Sequence, residues 1–170
     1  YALRSQARAS AAIQAGRLAE EIVPVEVGSG KRAKTVTVDE HPRPESTMEV
    51  LAKLPTAFDK EGFVTAGNAS GIVDGAAMLI LTTEAAAQAR GKKPLGRILS
   101  WATVGVEPSR MGIGPAPAIA KALSKAGLEQ KDVDLFEINE AFAGQVIAVM
   151  REMSLDEAKL NVNGGAIALG

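Results

Sequence analysis

Cysteine is absent from this 170-residue sequence, and histidine occurs once, as His41. The absence of cysteine excludes disulfides, thiolate metal sites and a cysteine nucleophile within the chain. His41 lies in a polar, proline-rich segment, where a lone histidine is typically a surface group. A metal site needs clustered ligands, and no such cluster is evident in the sequence. We therefore expect no metal site.

Strong net charge and long hydrophobic runs are also missing. The formal net charge is −1, and no long basic run is present, which argues against a nucleic-acid partner. No apolar run approaches the length that spans a membrane, and neither end resembles a signal peptide. Apolar residues make up 46% of the sequence and charged residues 23%. This balance predicts a folded chain with a sizeable core rather than a disordered one.

The first seventy or so residues predict an irregular mixture of elements. Residues 2–20 are expected to form a helix with one apolar face, formed by Leu3, Ala7, Ala11, Ala15 and Leu18. Residues 22–27 and 35–38 alternate like two strands around a glycine turn, and Pro24 places the first at an edge. A short helix is predicted near residues 48–54.

From residue 76 onward, the pattern alternates between strands and helices. Residues 76–81 and 98–104 predict two buried strands. A helix capped by Thr83 follows the first, and a helix closed by Gly127 follows the second. A third strand and helix come after them. This alternation is typical of a layered α/β domain.

The third strand ends abruptly in an amide and a carboxylate, Asn139 and Glu140. The helix beyond is expected to start at Ala141, with one face formed by Phe142, Val146, Val149, Met150 and Met153. Strand ends and helix starts are where α/β folds place binding groups. Two plainer interpretations stay open: Asn139 could cap the helix, and Glu140 could serve a helix dipole or a buried ion pair.

Three motifs occur in a fixed order. They are Thr-Ala-Gly-Asn-Ala-Ser-Gly at 65–71, Asn-Glu-Ala-Phe-Ala at 139–143 and Asn-Val-Asn-Gly-Gly-Ala-Ile-Ala-Leu-Gly at 161–170. Together with segments 39–44 and 111–115, they closely resemble the thiolases, which cleave or form 3-ketoacyl-CoA. The resemblance covers the whole chain, and segment 39–44 is most similar to the fatty-acid-degrading 3-ketoacyl-CoA thiolases. It implies an incomplete layered α/β thiolase fold with part of an irregular α+β loop domain.

The same resemblance implies a division of the chain. Residues 1–72 are expected to be the end of the loop domain, 73–94 the last strand and helix of the N-terminal domain, and 95–170 a truncated C-terminal domain. Thiolases use a nucleophilic cysteine, an activating histidine and a second cysteine, and this chain carries none of the three. The family's histidine directly follows the run that ends here at Gly170, so His41 is a loop residue. We expect the chain to be a piece of a longer protein.

The resemblance implies catalytic roles for Asn139 and Glu140. Asn139 would hold a water that forms an oxyanion hole with the missing histidine, because an amide can accept and donate hydrogen bonds without ionising. Donors at such an oxygen contribute roughly 3 to 4 kcal/mol each. Glu140 would support it.

Coenzyme A contacts are also carried over from the family, to Arg43, Ala57, Phe58, Ala66, Gly67, Ser70, Met111, Ala141 and Phe142. Arg43 would stack on or pair with the adenine nucleotide, and Ser70 would bond the pantetheine amide. The small residues of 67–71 suit close approach by a slender ligand. The alternatives are a surface arginine, a strained turn between lobes, and core roles for Ala57, Phe58, Met111 and Phe142.

Two glycine patterns invite other interpretations. The Gly112–Gly114 pair lacks the third glycine and acidic partner of a dinucleotide-binding loop, and prolines intervene. The Asn163-Gly164-Gly165 turn could be a hairpin, or its glycines could let the backbone wrap an active-site loop.

The resemblance implies an acyltransferase that thiolytically cleaves 3-ketoacyl-CoA, or runs the reverse condensation. An acetoacetyl-CoA-forming thiolase and a non-catalytic protein that binds coenzyme A or acyl chains are the alternatives. Coenzyme A would be a substrate, and no cofactor is expected. A homodimer or homotetramer in the bacterial cytoplasm or mitochondrial matrix is expected, with no nucleic-acid or membrane partner.

Overall fold

The computed structural model describes all 170 residues. A two-stranded sheet is formed by β1 (Val25–Val27) and β2 (Lys34–Val36). The six α-helices are α1 (Ala2–Gln14), α2 (Met48–Ala52), α3 (Glu84–Ala89), α4 (Pro115–Ala126), α5 (Ala143–Met153) and α6 (Ala166–Leu169). Short 3-10 helices cover Gly30–Arg32, Pro108–Ile113, Gln130–Asp132 and Glu157–Lys159. None of the helices has the length and apolar character needed to cross a lipid bilayer.

Helix α1 is shorter than the expected 2–20 helix, and it buries a different face. Ala7, Ala11 and Ala15 of the predicted stripe are exposed. The residues that face inward are Ala2, Ser5, Gln6, Ala9 and Ala12. Alanine recurs on several faces of this helix, so the apolar pattern could not choose among them. The polar pair Ser5 and Gln6 turns inward because both side chains find hydrogen-bond partners there.

The predicted edge hairpin is confirmed with shorter strands. β1 begins directly after Pro24 and pairs antiparallel with β2, with Val25 opposite Val36. Gly28 turns the chain at φ +83°, and a Cβ there would lie 2.7 Å from the carbonyl oxygen of Arg32. Only glycine fits that turn without strain.

Helix boundaries follow the capping residues in the sequence. The Thr83 hydroxyl accepts a hydrogen bond from the Ala86 amide at 3.3 Å and caps α3. Helix α4 starts at Pro115, where a missing N–H costs nothing, and Gly127 ends it in the left-handed conformation at φ +68°. The predicted caps are thus confirmed.

The two predicted buried strands at 76–81 and 98–104 are wrong for this chain. Neither segment pairs with another strand; residues 76–81 are all exposed, and residues 98–104 are exposed or half-buried in near alternation, with Met78 92% and Trp101 75% accessible. A strand forms only where a neighbouring strand accepts and donates its backbone hydrogen bonds, and neither segment has such a neighbour among these 170 residues. Residues 98–104 lie instead beside α4, whose Lys121 and Lys125 donate to the carbonyls of Thr103 and Trp101. The apolar pattern therefore predicted strand-like character without the partners that complete a sheet.

The main core lies between α4, α5 and the segments 136–138 and 155–160. It is built from the buried residues Ala116, Phe136, Ile138, Val146, Val149, Leu155 and Leu160. A smaller cluster joins α1, α5 and α6 through Ala2, Ala143 and Ile167. Ile138 of the first cluster and Ala143 of the second lie before and after Asn139 in the sequence.

Candidate functional site

The site begins with a single parallel bridge between Phe136 and Leu160, three residues before Asn139. The Phe136 amide donates to the Lys159 carbonyl at 2.8 Å, and the Asn161 amide donates to the Phe136 carbonyl at 2.9 Å. The extended chain then alternates: Ile138 and Glu140 are buried, whereas Asn139 is exposed. This alternation presents the Asn139 amide at the surface of a firmly held backbone.

The expected start of the following helix at Ala141 is wrong. Helix α5 begins at Ala143, and its N-cap residue is Phe142, which makes no side-chain cap. Asn139 lies too early to cap it, so the capping alternative is wrong as well. Residues 141–142 stay extended because another loop binds their backbone.

That loop is the small-residue segment 65–71. The Ser70 amide donates to the Ala141 carbonyl at 3.1 Å, and the Ala143 amide donates to the Asn68 carbonyl at 2.8 Å. Ala69 and Phe142 face each other as an antiparallel bridge. The structure thus brings Ser70 and Ala141, two of the predicted binding residues, into direct contact.

Two aromatic rings flank this junction. Phe58 and Phe142 meet edge to face, with ring centroids 6.3 Å apart and planes at 83°. Phe58 is 80% exposed, so a core role for it is wrong, whereas Phe142 is half-buried. Ala57 beside it is also exposed, and its amide donates to the Val64 carbonyl at 2.8 Å. Such exposed apolar surface is available to a ligand.

A groove of about 370 Å³ holds another part of the predicted set. Arg43, Ala66 and Gly67 line it together with α2 and Ile167. The Arg43 guanidinium folds back on its own loop, where one nitrogen donates to the carbonyls of residues 40–42. Met111 lies elsewhere, exposed on the 3-10 segment that packs on α5, and does not line this groove.

The glycines of segment 65–71 are explained by packing. A Cβ at Gly67 would lie 2.5 Å from a Leu54 methyl and 2.7 Å from a Leu51 methyl. A Cβ at Gly71 would lie 2.2 Å from the His41 ring. His41 is therefore half-buried against this loop rather than a plain surface group. The coenzyme A role of the loop stays a prediction.

Glu140 is the centre of a buried hydrogen-bond network, and it is 1% exposed. Its Oε1 accepts from the Tyr1 hydroxyl at 2.8 Å and from Asn161 Nδ2 at 3.1 Å. Its Oε2 accepts from the Ser5 hydroxyl at 2.6 Å and from the Ile167 amide at 3.0 Å. All of these donors are uncharged, so the ion-pair alternative is wrong. The carboxylate instead ties α1, the strand end and α6 together.

Two titratable groups near Glu140 have a raised pKa, first because they are themselves partly desolvated and then because of Glu140. Burial of the ring, and then the hydrogen bond to Glu140, raise the pKa of the Tyr1 hydroxyl well above its usual value. Tyr1 therefore stays protonated and remains a donor. Desolvation, followed by the negative charge of Glu140, raises the pKa of Glu137.

The glycines at 164–165 let two elements approach this network. A Cβ at Gly165 would lie 2.5 Å from the Glu140 carboxyl carbon, and one at Gly164 would lie 2.7 Å from Ala9 Cβ. Only one isolated bridge, parallel between Val162 and Gly164, occurs here, so the hairpin interpretation is wrong. The turn packs against the Glu140 carboxylate, and the interpretation that it wraps an active-site loop stays a prediction.

Sequence reasoning missed Tyr1, Ser5 and Asn161 as members of the site. Asn161 accepts from the Ile138 amide and donates to the Ile138 carbonyl, both at 2.8 Å. The available signal was polar: Ser5 and Gln6 interrupt one face of α1, and a periodicity search that counts only apolar residues passes over such positions.

Comparison with known proteins places this arrangement in a family. The description "Thiolase, N-terminal domain" matches residues 1–85, and "Thiolase, C-terminal domain" matches residues 92–170. The chain belongs to the thiolase family. The two matches together account for nearly the whole sequence.

Individual relatives have two kinds of name. The chain is 55% identical to human mitochondrial 3-ketoacyl-CoA thiolase and 55% identical to acetyl-CoA acetyltransferase of Rhizobium meliloti (strain 1021). Each alignment covers 100% of this chain and 43% of the relative, so the chain spans less than half the length of the curated relatives it matches.

Solved structures agree with the fold. The crystal structure of the Bacillus anthracis acetyl-CoA acetyltransferase matches with a TM-score of 0.96 and 49% identity, over 99% of this chain and 43% of that one. Human mitochondrial 3-ketoacyl-CoA thiolase in complex with CoA matches with a TM-score of 0.89 and 52% identity, over 100% and 42%. The predicted incomplete thiolase-like α/β fold is confirmed.

Proposed function

We propose that this chain is part of a thiolase subunit that cleaves 3-ketoacyl-CoA with coenzyme A, or catalyses the reverse condensation. The products of cleavage are acetyl-CoA and a shortened acyl-CoA. The observation that carries this proposal is the exposed Asn139 amide on a buried, hydrogen-bonded strand end, next to the loop that contains Ser70. Family membership supplies the reaction class.

Asn139 holds a water that, together with the activating histidine outside this chain, donates to the carbonyl oxygen that gains negative charge when the carbonyl is attacked. A donor held in place before the reaction stabilises that charge without reorganising at the moment of reaction. The neighbouring groups at Ser70, Ala66, Gly67 and Arg43 bind the coenzyme A part of the substrate. Coenzyme A is a substrate in this proposal, and no resident cofactor takes part.

The nucleophile and its activating base belong to the rest of the subunit. The chain contains no cysteine, and its only histidine, His41, packs against Gly71. In the whole protein we propose a homodimer or homotetramer that works in the bacterial cytoplasm or the mitochondrial matrix. Relatives named 3-ketoacyl-CoA thiolase and acetyl-CoA acetyltransferase are both 55% identical to this chain, so both reaction directions are included.

The test compares the intact subunit with the isolated 170-residue chain. Purified intact protein is expected to consume acetoacetyl-CoA and form acetyl-CoA only when coenzyme A is added. The isolated chain is expected to form none, because it lacks a thiolate nucleophile. Omission of coenzyme A is the control.

A second candidate, a thiolase-like protein that only binds coenzyme A, makes a different prediction. Calorimetry would then detect coenzyme A binding to the intact subunit while acetyl-CoA formation stays at the background rate. Turnover by the isolated chain would contradict the proposal that its chemistry needs residues outside these 170.

A further inference from the structure

We propose that Asn161 is a positioning residue for Asn139, because its carboxamide holds the backbone on which Asn139 stands. The inference rests on the thiolase function proposed above and names a residue through which its oxyanion-hole amide is held. Asn161 would not touch the substrate in this role.

The clamp acts on the residues on both sides of Asn139. Asn161 Oδ1 accepts from the Ile138 amide at 2.8 Å, and Nδ2 donates to the Ile138 carbonyl at 2.8 Å. That carbonyl belongs to the peptide group that links Ile138 to Asn139, so the bond restricts rotation of this peptide. Nδ2 also lies 3.1 Å from Glu140 Oε1, on the other side of Asn139.

Burial makes the clamp firm. Asn161 is 2% exposed and Glu140 is 1% exposed, so water does not compete for these hydrogen bonds. The side chain of Asn139 itself is exposed, and its orientation therefore depends on the backbone beneath it. Positioning of a catalytic group within a fraction of an ångström is the kind of precision that such support provides.

Asparagine at this position also suits the backbone conformation. The test must separate this backbone role from the hydrogen bonds that the side chain makes. Asn161 lies at φ 47°, a left-handed conformation that asparagine and aspartate tolerate better than other non-glycine residues. The Asn161→Asp substitution keeps the shape and this tolerance. It replaces the donating Nδ2 with a carboxylate oxygen that faces the Glu140 carboxylate.

The experiment uses the intact subunit and a double-mutant cycle with Asn139→Ala. At neutral pH, Asn161→Asp is expected to lower kcat for thiolysis by about 10- to 100-fold while KM for coenzyme A changes less than about twofold. The double variant is expected to be no slower than Asn139→Ala alone, because Asn161 acts through Asn139.

A pH profile gives a second signature. Two facing carboxylates share a proton more readily as the pH falls, and the protonated member can donate in place of the lost amide N–H. The activity of Asn161→Asp relative to wild type is therefore expected to rise toward acid pH.

The matched control is Asn163→Asp, the same chemical change two residues along the same turn. Asn163 Oδ1 accepts only from the exposed Arg17 at 3.4 Å, so this variant is expected to keep wild-type kcat.

Wild-type kcat in Asn161→Asp would overturn the proposal. So would a double variant whose fold-loss in kcat equals the product of the losses of the two single variants. A slow Asn139→Ala would in that case leave the thiolase function standing. Full thiolysis activity in Asn139→Ala would overturn the roles proposed for Asn139 and Asn161 and would leave the thiolase reaction itself standing.

Asn161→Asp places a second carboxylate in a buried position, which can prevent folding. If that variant gives no soluble protein, Tyr1→Phe takes its place in the experiment. The Tyr1 hydroxyl accepts from Asn161 Nδ2 at 3.1 Å and donates to Glu140 at 2.8 Å, and phenylalanine removes it without adding charge. Tyr1→Phe is expected to lower kcat by about 2- to 5-fold. The same substitution is expected to have no effect on kcat when Asn139→Ala is already present. Wild-type kcat in Tyr1→Phe would overturn the proposal.

Discussion

Asn139 and Glu140 are adjacent in the chain but lie in opposite environments, one exposed and one buried. Glu140 is enclosed by four uncharged donors, while Asn139 beside it faces the surface. The alternation of an extended chain accounts for the difference, because Ile138 and Glu140 point one way and Glu137 and Asn139 the other. A charged residue thus holds the backbone, and a neutral one is presented at the surface.

Partial desolvation and the nearby charge of Glu140 both act on Glu137. Desolvation and then the negative charge of Glu140 raise the pKa of Glu137. The folded state therefore binds this proton more tightly than the unfolded state does. The stability that follows is present below the ordinary carboxyl pKa of about 4.3 and is lost as the pH rises through the higher folded pKa.

Glu137→Gln is consequently expected to stabilise the intact subunit at pH 7 but not at pH 4. Because Glu137 is exposed, the rise in Tm at pH 7 is expected to be about 1–3 °C. Thermal unfolding at the two pH values, with the exposed Glu61→Gln as control, measures the difference. An unchanged or lower Tm at pH 7 would contradict the repulsion by Glu140.

At the scale of elements, the sequence predicts features that depend on neighbouring residues, such as helix caps. It does not predict features that depend on contacts with distant residues. The cap at Thr83 and the terminating Gly127 lie within a turn of the helices they bound, so the sequence alone predicts them. The buried face of α1 depends on Glu140 and Ile167, which are distant in the sequence. Similarly, α5 starts late because the loop at 68–70 binds residues 141–143. No local pattern contains that information.

Segments 76–81 and 98–104 have the composition of buried strands and no strand partners within this chain. We expect the intact subunit to supply those partners. Amide hydrogens of residues 98–104 are then expected to exchange slowly in the intact subunit, because paired strand amides open only through larger unfolding events. Hydrogen exchange measured by mass spectrometry tests this, with a peptide from α4 as the folded reference. Exchange at the rate of an unstructured peptide would contradict the strand assignment.

At the scale of the whole molecule, the site is assembled from segments far apart in the chain. The loop at 65–71, the strand end at 138–140, the turn at 161–167 and helix α1 meet around Glu140 and the backbone of Ala141. The order of the motifs predicted the family, because each motif occupies a short stretch of sequence. The same motifs identify Asn139 as a candidate, and its role stays a prediction. The roles of Tyr1, Ser5 and Asn161 could not be predicted, because they depend on which distant groups meet.

Asn139 is the residue on which the whole account depends. The most direct measurement is the steady-state thiolysis of acetoacetyl-CoA by the intact subunit carrying Asn139→Ala. Because its amide is proposed to act, through the water it holds, on charge that develops only during the reaction, kcat is expected to fall about 100-fold while KM for coenzyme A changes less than about threefold. A wild-type kcat, or a loss confined to KM, would contradict the assignment of Asn139 to the oxyanion hole.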